Sequence, residues 1–288
     1  MPAFNPPDPA VVAQDVARSL QEDIQTGDVT ALLLEDDVEQ GYIVIKEAAV
    51  ICGRPWFDAC FRQLDADIEI NWRVQEGQSV PAGTVIVDFR GRARALLGAE
   101  RSALNFLQTL SATATQTAAF AAALAGSNTR VLDTRKTLPG LRLAQKYAVR
   151  AGGGTNHRMG LYDAVMLKEN HIHAEGSIAK AVAKARAAYP DIPVIVEVES
   201  LDELRQALDT GCSRILIDDF SDADMREAVR TAGGRKPLEV SGSVTLERLE
   251  TIAAAGVDFV SVGSITKNIR AVDFSMRLGS PPDAEAKA

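Results

Sequence analysis

The chain has 288 residues, of which 46% are apolar and 24% charged, and its net charge is −8. These totals exclude a disordered or fibrous polymer, and the negative charge argues against nucleic acid or an anionic membrane as the main partner. No apolar run approaches the roughly 20 residues of a membrane span, and three cysteines without a CxxC pair suit reduced thiols in a cytoplasmic protein.

The length exceeds what one core usually organises, so two domains are expected. The opening residues, MPAFNPPDPAVVAQDV, lack a basic stretch followed by an apolar one, and no secretory leader is expected. Ala10–Ile24 has the periodicity of an amphipathic helix and is followed by Gly27-Asp-Val-Thr30. Tyr42–Cys52, Ile68–Val74 and Thr84–Phe89 read as strands joined by turns at Gln75–Gln78 and Pro81–Gly83, while Trp56–Leu64 reads as a helix. This predicts an α+β domain with antiparallel strands. A long helix is expected over Gly98–Ala125, with Leu104, Leu107 and Leu110 on its apolar face and Arg101, Asn105 and Gln108 on a polar stripe.

From residue 130 the pattern changes. Short apolar runs recur at Arg130–Leu132, Ala164–Leu167, Val194–Val198, Ile215–Ile217, Leu238–Val240 and Phe259–Val262. Helical stretches lie between them: Ser177–Tyr189, Asp202–Asp209, Asp222–Thr231 and Thr245–Ala255, with Gly211, Gly233 and Gly256 near their ends. Doubly buried strands separated by helices predict a parallel sheet, and their number favours a barrel over an open doubly wound sheet. The tail Ser280–Ala288 is expected to be disordered.

In a barrel of this kind, chemistry gathers at the C-terminal ends of the strands. Those ends carry Asp133-Thr134-Arg135-Lys136, then Lys168-Glu169-Asn170-His171, Glu197 and Glu199, Asp218 and Asp219, Ser241-Gly242-Ser243, and Gly263-Ser264. Polar groups recurring at one end of six strands are not explained by packing. The window Arg130–His173 also holds eight Lys/Arg against three acids, and all three histidines. Cations so concentrated in an acidic chain indicate a pocket for anions. Arginine donates paired bonds to carboxylate or phosphate, lysine adds point charge, and Ser/Gly turns offer backbone N–H groups to phosphate. Carboxylates on neighbouring strands suit Mg²⁺ shared with a pyrophosphate. Lys168 beside Glu169 also allows a Schiff-base lyase, an alternative that leaves the arginines unused. His171 and His173 read as structural or as supports behind the site, Glu199 and Asp219 as supporting or solvent-facing, and Arg142, Lys146 and Arg150 equally as a basic helix face or as the source of one ligand contact.

The segment DTRKTLPGLRLAQKYAVRAGGGTNHRMGLYDAVMLKENHI (Asp133–Ile172) closely resembles quinolinate phosphoribosyltransferases, the carboxylating nicotinate-nucleotide pyrophosphorylases. The likeness extends through GDVT, GAERSALNFLQTLSATAT, EVES, IDDF, LEVSGSVTLE and VDFVSVGSITK. It implies an N-terminal α/β sandwich over residues 1–112, rejoined by 268–288, and an incomplete, seven-stranded α/β barrel over 113–267. It also implies Mg²⁺ as cofactor and a homodimer in which Arg101 enters the neighbouring subunit's site. By resemblance, Arg135, His157 and Arg158 hold the quinolinate carboxylates, Thr134 is a further substrate-binding residue, and Lys136 and Lys168 bridge toward phosphates. Glu197 and Asp218 face the ribose and its metal. Ser241-Gly242-Ser243 and Val262-Gly263-Ser264 take the 5′-phosphate, and Ser243 stands where many relatives have glycine.

Overall fold

The computed structural model describes residues 7–282. Its strands are β1 (Val38–Ile45), β2 (Ala49–Val50), β3 (Glu69–Trp72), β4 (Ser79–Val80), β5 (Val85–Arg92) and β6 (Arg130–Leu132). They continue as β7 (Val165–Leu167), β8 (Val194–Val198), β9 (Arg214–Asp218), β10 (Leu238–Ser241), β11 (Phe259–Ser261) and β12 (Phe274–Leu278). The helices are α1 (Pro9–Ile24), α2 (Arg54–Leu64), α3 (Ala93–Ala123), α4 (Arg142–Ala151) and α5 (Glu169–Glu175). After them come α6 (Ile178–Ala188), α7 (Leu201–Leu208), α8 (Asp222–Ala232), α9 (Leu249–Ala255) and α10 (Ser264–Lys267). Of the described residues, those up to Gln116, with Leu138–Gly152 and those from Asn268 on, form one compact unit. Thr117–Thr137 and Gly153–Lys267 form a second. Residues 283–288 of the tail expected to be disordered lie outside the described residues.

In the first unit the strands order β12-β1-β5-β3, with antiparallel pairing throughout, and β2 pairs with β4. Trp56, Phe57 and Phe61 of α2 are fully buried and supply the core, with the Phe61 and Phe89 ring centroids 5.0 Å apart. The run Tyr42–Cys52, expected as one strand, is two. Glu47 interrupts it because its carboxylate accepts from the Arg270 side chain and the Asp273 N–H, anchoring the segment that leads into β12. Gly41 is required in β1, since a Cβ there would meet the Phe89 ring. Residues 138–152 group with this unit although the sequence reading places them within 113–267. The cause is α4, whose Tyr147 packs on Trp56 with centroids 5.5 Å apart.

The second unit is built on a parallel sheet of order β6-β11-β10-β9-β8-β7. Six strands are paired among the described residues, against the seven expected. A further position exists only as one bridge, Thr155 beside Leu132 on the outer side of β6, where glycines 152–154 leave too little side chain for a longer strand. Consecutive strands are neighbours from β7 to β11, and β11 then lies beside the first strand, β6. A doubly wound sheet reverses its order midway, and this one does not. Ser177, Ser200 and Ser221 cap α6, α7 and α8 by accepting N–H groups three residues on. α8 and α9 end at Gly233 and Gly256 in the left-handed region, whereas α7 ends before Gly211. The helix expected from Thr245 begins only at Leu249.

Candidate active site

Residues of five strands of the second unit, and those that follow β6, line one cavity of about 360 Å³. Its walls carry Thr134, Arg135 and Lys136 after β6, and Met166 and Lys168 of β7 and its end. Glu197 of β8, Leu216 of β9, Glu239 and Ser241 of β10, Ser261 of β11, and His157 with Arg158 complete it. The inward residues obey the strand period of two: Met166/Lys168, Glu239/Ser241. A second cavity, about 450 Å³, opens at the other end of the same strands and is lined by Pro193, Arg214, Pro237 and Phe259 among others. The smaller one sits at the C-terminal ends, where parallel α/β folds place their chemistry.

Four cations, Arg135, Lys136, Arg158 and Lys168, share the smaller cavity with two carboxylates, Glu197 and Glu239. Both acids are already engaged. Glu197 Oε2 lies 2.5 Å from Lys168 Nζ, and Glu239 Oε2 lies 3.1 Å from Arg214 Nε. Partial burial lowers the Arg158 pKa from its ordinary value, and the like charge of Arg135 lowers it further. Two guanidiniums held against each other's repulsion form a seat for an anion.

Local structure explains how Arg158 arrives there. The Gly-rich turn feeds Thr155, whose N–H bonds the Val131 carbonyl at 2.9 Å. Asp133, fully buried after β6, then accepts from the His157 N–H at 2.9 Å and the Asn156 side chain at 2.6 Å. The Arg158 guanidinium donates to the Ala164 carbonyl at 3.2 Å. The His157 ring has a neighbour at each nitrogen: Nδ1 accepts from the Arg158 N–H at 2.6 Å, and Nε2 stands at ion-pair distance, 3.2 Å, from Glu239 Oε1.

Eight of the expected residues therefore meet in this cavity: Thr134, Arg135, Lys136, His157, Arg158, Lys168, Glu197 and Ser241. Asp218 stands beside Ser241 in register, Gly242 packs against Asp219, and Gly263 lies under the Lys136 stem. Ser243 adopts φ 29°, and Ser264 opens α10. Val262 has a buried side chain, and its N–H donates to the Leu132 carbonyl at 2.9 Å. Arg101 is exposed on α3 of the first unit. Among the basic-face candidates, Lys146 is fully buried in α4. His171 Nδ1 accepts the Lys168 N–H at the start of α5.

Residues 28–111 match the N-terminal domain of quinolinate phosphoribosyl transferase, and residues 113–277 match its C-terminal domain. The chain belongs to the quinolinate phosphoribosyl transferase family. A probable nicotinate-nucleotide pyrophosphorylase (carboxylating) of Synechocystis sp. is 43% identical over 265 residues, covering 90% of each chain. The nicotinate-nucleotide pyrophosphorylase (carboxylating) of Mycobacterium leprae is 39% identical over 91% of this chain and 95% of its own. The solved nicotinate-nucleotide pyrophosphorylase of Francisella tularensis superposes with a TM-score of 0.93 at 46% identity, covering 96% of this chain and 98% of that one.

Two charged or polar residues of this family member's cavity, Glu239 and Ser261, escaped the sequence reading, as did the anchoring role of Asp133 and the approach of Arg214 to Glu239 from the other end of the strands. A signal for Glu239 was present, because it is the one charged side chain within the apolar run Leu238–Val240 and stands two residues before Ser241.

Proposed function

We propose that the chain transfers the phosphoribosyl group of phosphoribosyl pyrophosphate to quinolinate, releasing pyrophosphate and CO₂ and giving nicotinate mononucleotide for NAD biosynthesis. The observation that carries this reading is the Arg135–Arg158 pair in a cavity that also holds Lys136 and Lys168. A planar dicarboxylate satisfies two fork-shaped guanidiniums, and a polyphosphate satisfies the lysines.

Arg135 and Arg158, with Thr134 and His157 beside them, hold the quinolinate carboxylates. Lys136 and Lys168 stabilise the charge that grows on pyrophosphate as the C1′–O bond breaks. The pyridine nitrogen, held in line, forms the new bond to C1′. The ring nitrogen is then cationic and stabilises the electron pair left at C2 when the C2–carboxylate bond breaks, and a solvent proton takes up that pair. Glu197, braced by Lys168, and Asp218 face the ribose. Ser241-Gly242-Ser243 and Gly263-Ser264 receive the 5′-phosphate.

Among the described residues no three His, Cys, Asp or Glu side chains cluster around a point that could cage a metal. The carboxylates of Glu197 and Asp218, on neighbouring strands, would hold one side of a Mg²⁺ ion shared with the substrate, and such an ion would supply positive charge to the leaving group. Strand order and the shared cavity support an incomplete barrel whose seam falls between β6 and β7, with Thr155 as the vestige of a seventh strand. The protein acts as a cytoplasmic homodimer with Arg101 donated across the interface. No helix among the described residues is long and apolar enough to cross a membrane.

The test is direct: quinolinate, phosphoribosyl pyrophosphate and Mg²⁺ are incubated with the protein and CO₂ is measured. Stoichiometric CO₂ and nicotinate mononucleotide are expected. Absence of both, or borohydride trapping of a keto-acid on Lys168, overturns the reading.

A further inference from the structure

Glu239, like Asp133, is a fully buried acid of the second unit. It sits in the middle of the sheet and belongs to no step above. A carboxylate removed from water persists only if its oxygens are satisfied. Three elements supply partners: the Ser261 hydroxyl from β11 donates to Oε1, while Arg214 Nε from β9 at 3.1 Å from Oε2 and His157 Nε2, from the segment after Thr155, at 3.2 Å from Oε1 stand at ion-pair distance. Burial alone raises the Glu239 pKa; His157, Arg214 and Ser261 outweigh it, and the net direction is down, toward the ionised form.

An ionised acceptor facing Nε2 has a definite consequence. It demands a proton on Nε2, which leaves the other nitrogen of a neutral ring as an acceptor. Nδ1 does accept, from the backbone N–H of Arg158 at 2.6 Å. The ring thus connects a fixed carboxylate in the sheet to the backbone from which the Arg158 guanidinium reaches into the cavity. Arg214 is held in turn, its guanidinium carbon 5.0 Å from the centroid of the Phe259 ring. Seen from the cavity, Arg158 is aimed by a relay that begins on β9 and β10.

We propose that Glu239 is a positioning residue for quinolinate binding: it holds His157 in the Nε2–H form, and His157 in turn fixes Arg158. The proposal rests on the transferase reading for its kinetic consequence, but its structural half stands apart from that reading. Ring orientation by an outer partner is how proteins commonly set the placement of a functional histidine.

The chain has three histidines, so ¹⁵N-edited spectra of its imidazoles are readable, with His171 and His173 as internal references and the His157→Asn spectrum as the assignment. In the unaltered protein His157 is expected as the Nε2–H tautomer; the opposite tautomer overturns the proposal without any variant. In Glu239→Gln the His157 signals should move while those of His171 and His173 stay. Kinetically, Glu239→Gln should raise the KM for quinolinate at least tenfold and change kcat less than threefold. In a His157→Phe background the same substitution should leave that KM unchanged, because the relay is already cut. Additive effects in the double variant, or a loss confined to kcat, overturn the proposal. An unaltered protein that shows the expected tautomer yet turns over no quinolinate sinks the transferase reading and leaves the positioning of Arg158 standing.

Discussion

Arg135 and Arg158 do together what neither does alone. Each repels the other across the cavity, and burial adds to the cost on Arg158, so both gain when a dicarboxylate enters. A hydrogen bond to a charged group contributes about 1.5–3 kcal/mol, so Arg135→Ala or Arg158→Ala should raise the KM for quinolinate on the order of 10- to 100-fold. Arg135→Lys should do nearly as badly, since an ammonium cannot make the paired contact. Steady-state kinetics check this, and a KM left unchanged in either alanine variant removes the proposed carboxylate seat. At this scale much was legible. Arg135, Lys136, Arg158, Lys168 and Glu197 could be named from charge and strand ends together with family resemblance, because polar groups at strand termini break the apolar pattern. Glu239 and Ser261 went unnamed because they lie inside strands, where pattern reading assigns apolar packing, although the lone charge of Glu239 in its apolar run was a usable signal. The neighbours of the two His157 ring nitrogens were not legible either, since they are Arg158, the next residue, and Glu239, 82 positions on.

Among the elements, the turn after β10 is tightly constrained. Gly242 has φ +89°, and a Cβ there would collide with the Asp219 carboxylate and approach the Asp219 N–H at 3.1 Å. Gly242→Ala should therefore cost about 2 kcal/mol of stability from backbone strain and crowding. It should also raise the KM for phosphoribosyl pyrophosphate well above any change for quinolinate, because the turn serves the phosphate side. Denaturant titration and the two KM values measure this; equal effects on both substrates would place the turn elsewhere. Helix and strand boundaries were readable within a few residues where a serine cap or a strict apolar run marks them, as at Ser221 and Val194–Val198. They were misjudged where a side chain redirected the backbone, as Glu47 does between β1 and β2. The helix starting at Leu249 rather than Thr245 has no such explanation in the structure.

Two expectations belong to the whole molecule. In the first unit, burial raises the Cys60 thiol from its ordinary 9.0 to about 12. Burial, followed by the charge of Glu76, also pushes Cys52 and Tyr147 upward. The unfolded chain sheds these protons first, so the folded state holds more of them above pH 9. The stability they contribute is complete below the unfolded values and is lost as pH rises toward and through the folded ones. Denaturant midpoints should thus fall steadily from about pH 9 to 12, and Cys60→Ala should flatten that slope; a slope unchanged in Cys60→Ala assigns the loss to other groups. The second expectation concerns assembly. If Arg101 serves the neighbouring subunit, mixed dimers of Arg101→Ala and Arg135→Ala chains each contain one intact site. Co-expression should then recover about a quarter of the unaltered activity from two nearly inactive parents. No recovery would confine each site to one chain.

The sequence by itself determined the two-part organisation, the change from antiparallel to parallel pairing at residue 130, and the concentration of cations that names an anion site. Those properties are local or cumulative: periodicity, composition and charge are carried by neighbours in the chain. Tertiary structure alone decided that β11 lies beside β6, that residues 138–152 group with the first unit, and that Glu239, Arg214 and Ser261 converge on His157. Such pairings join segments far apart in sequence, and they form because burying a charge or an aromatic ring requires whichever partner the fold brings within reach.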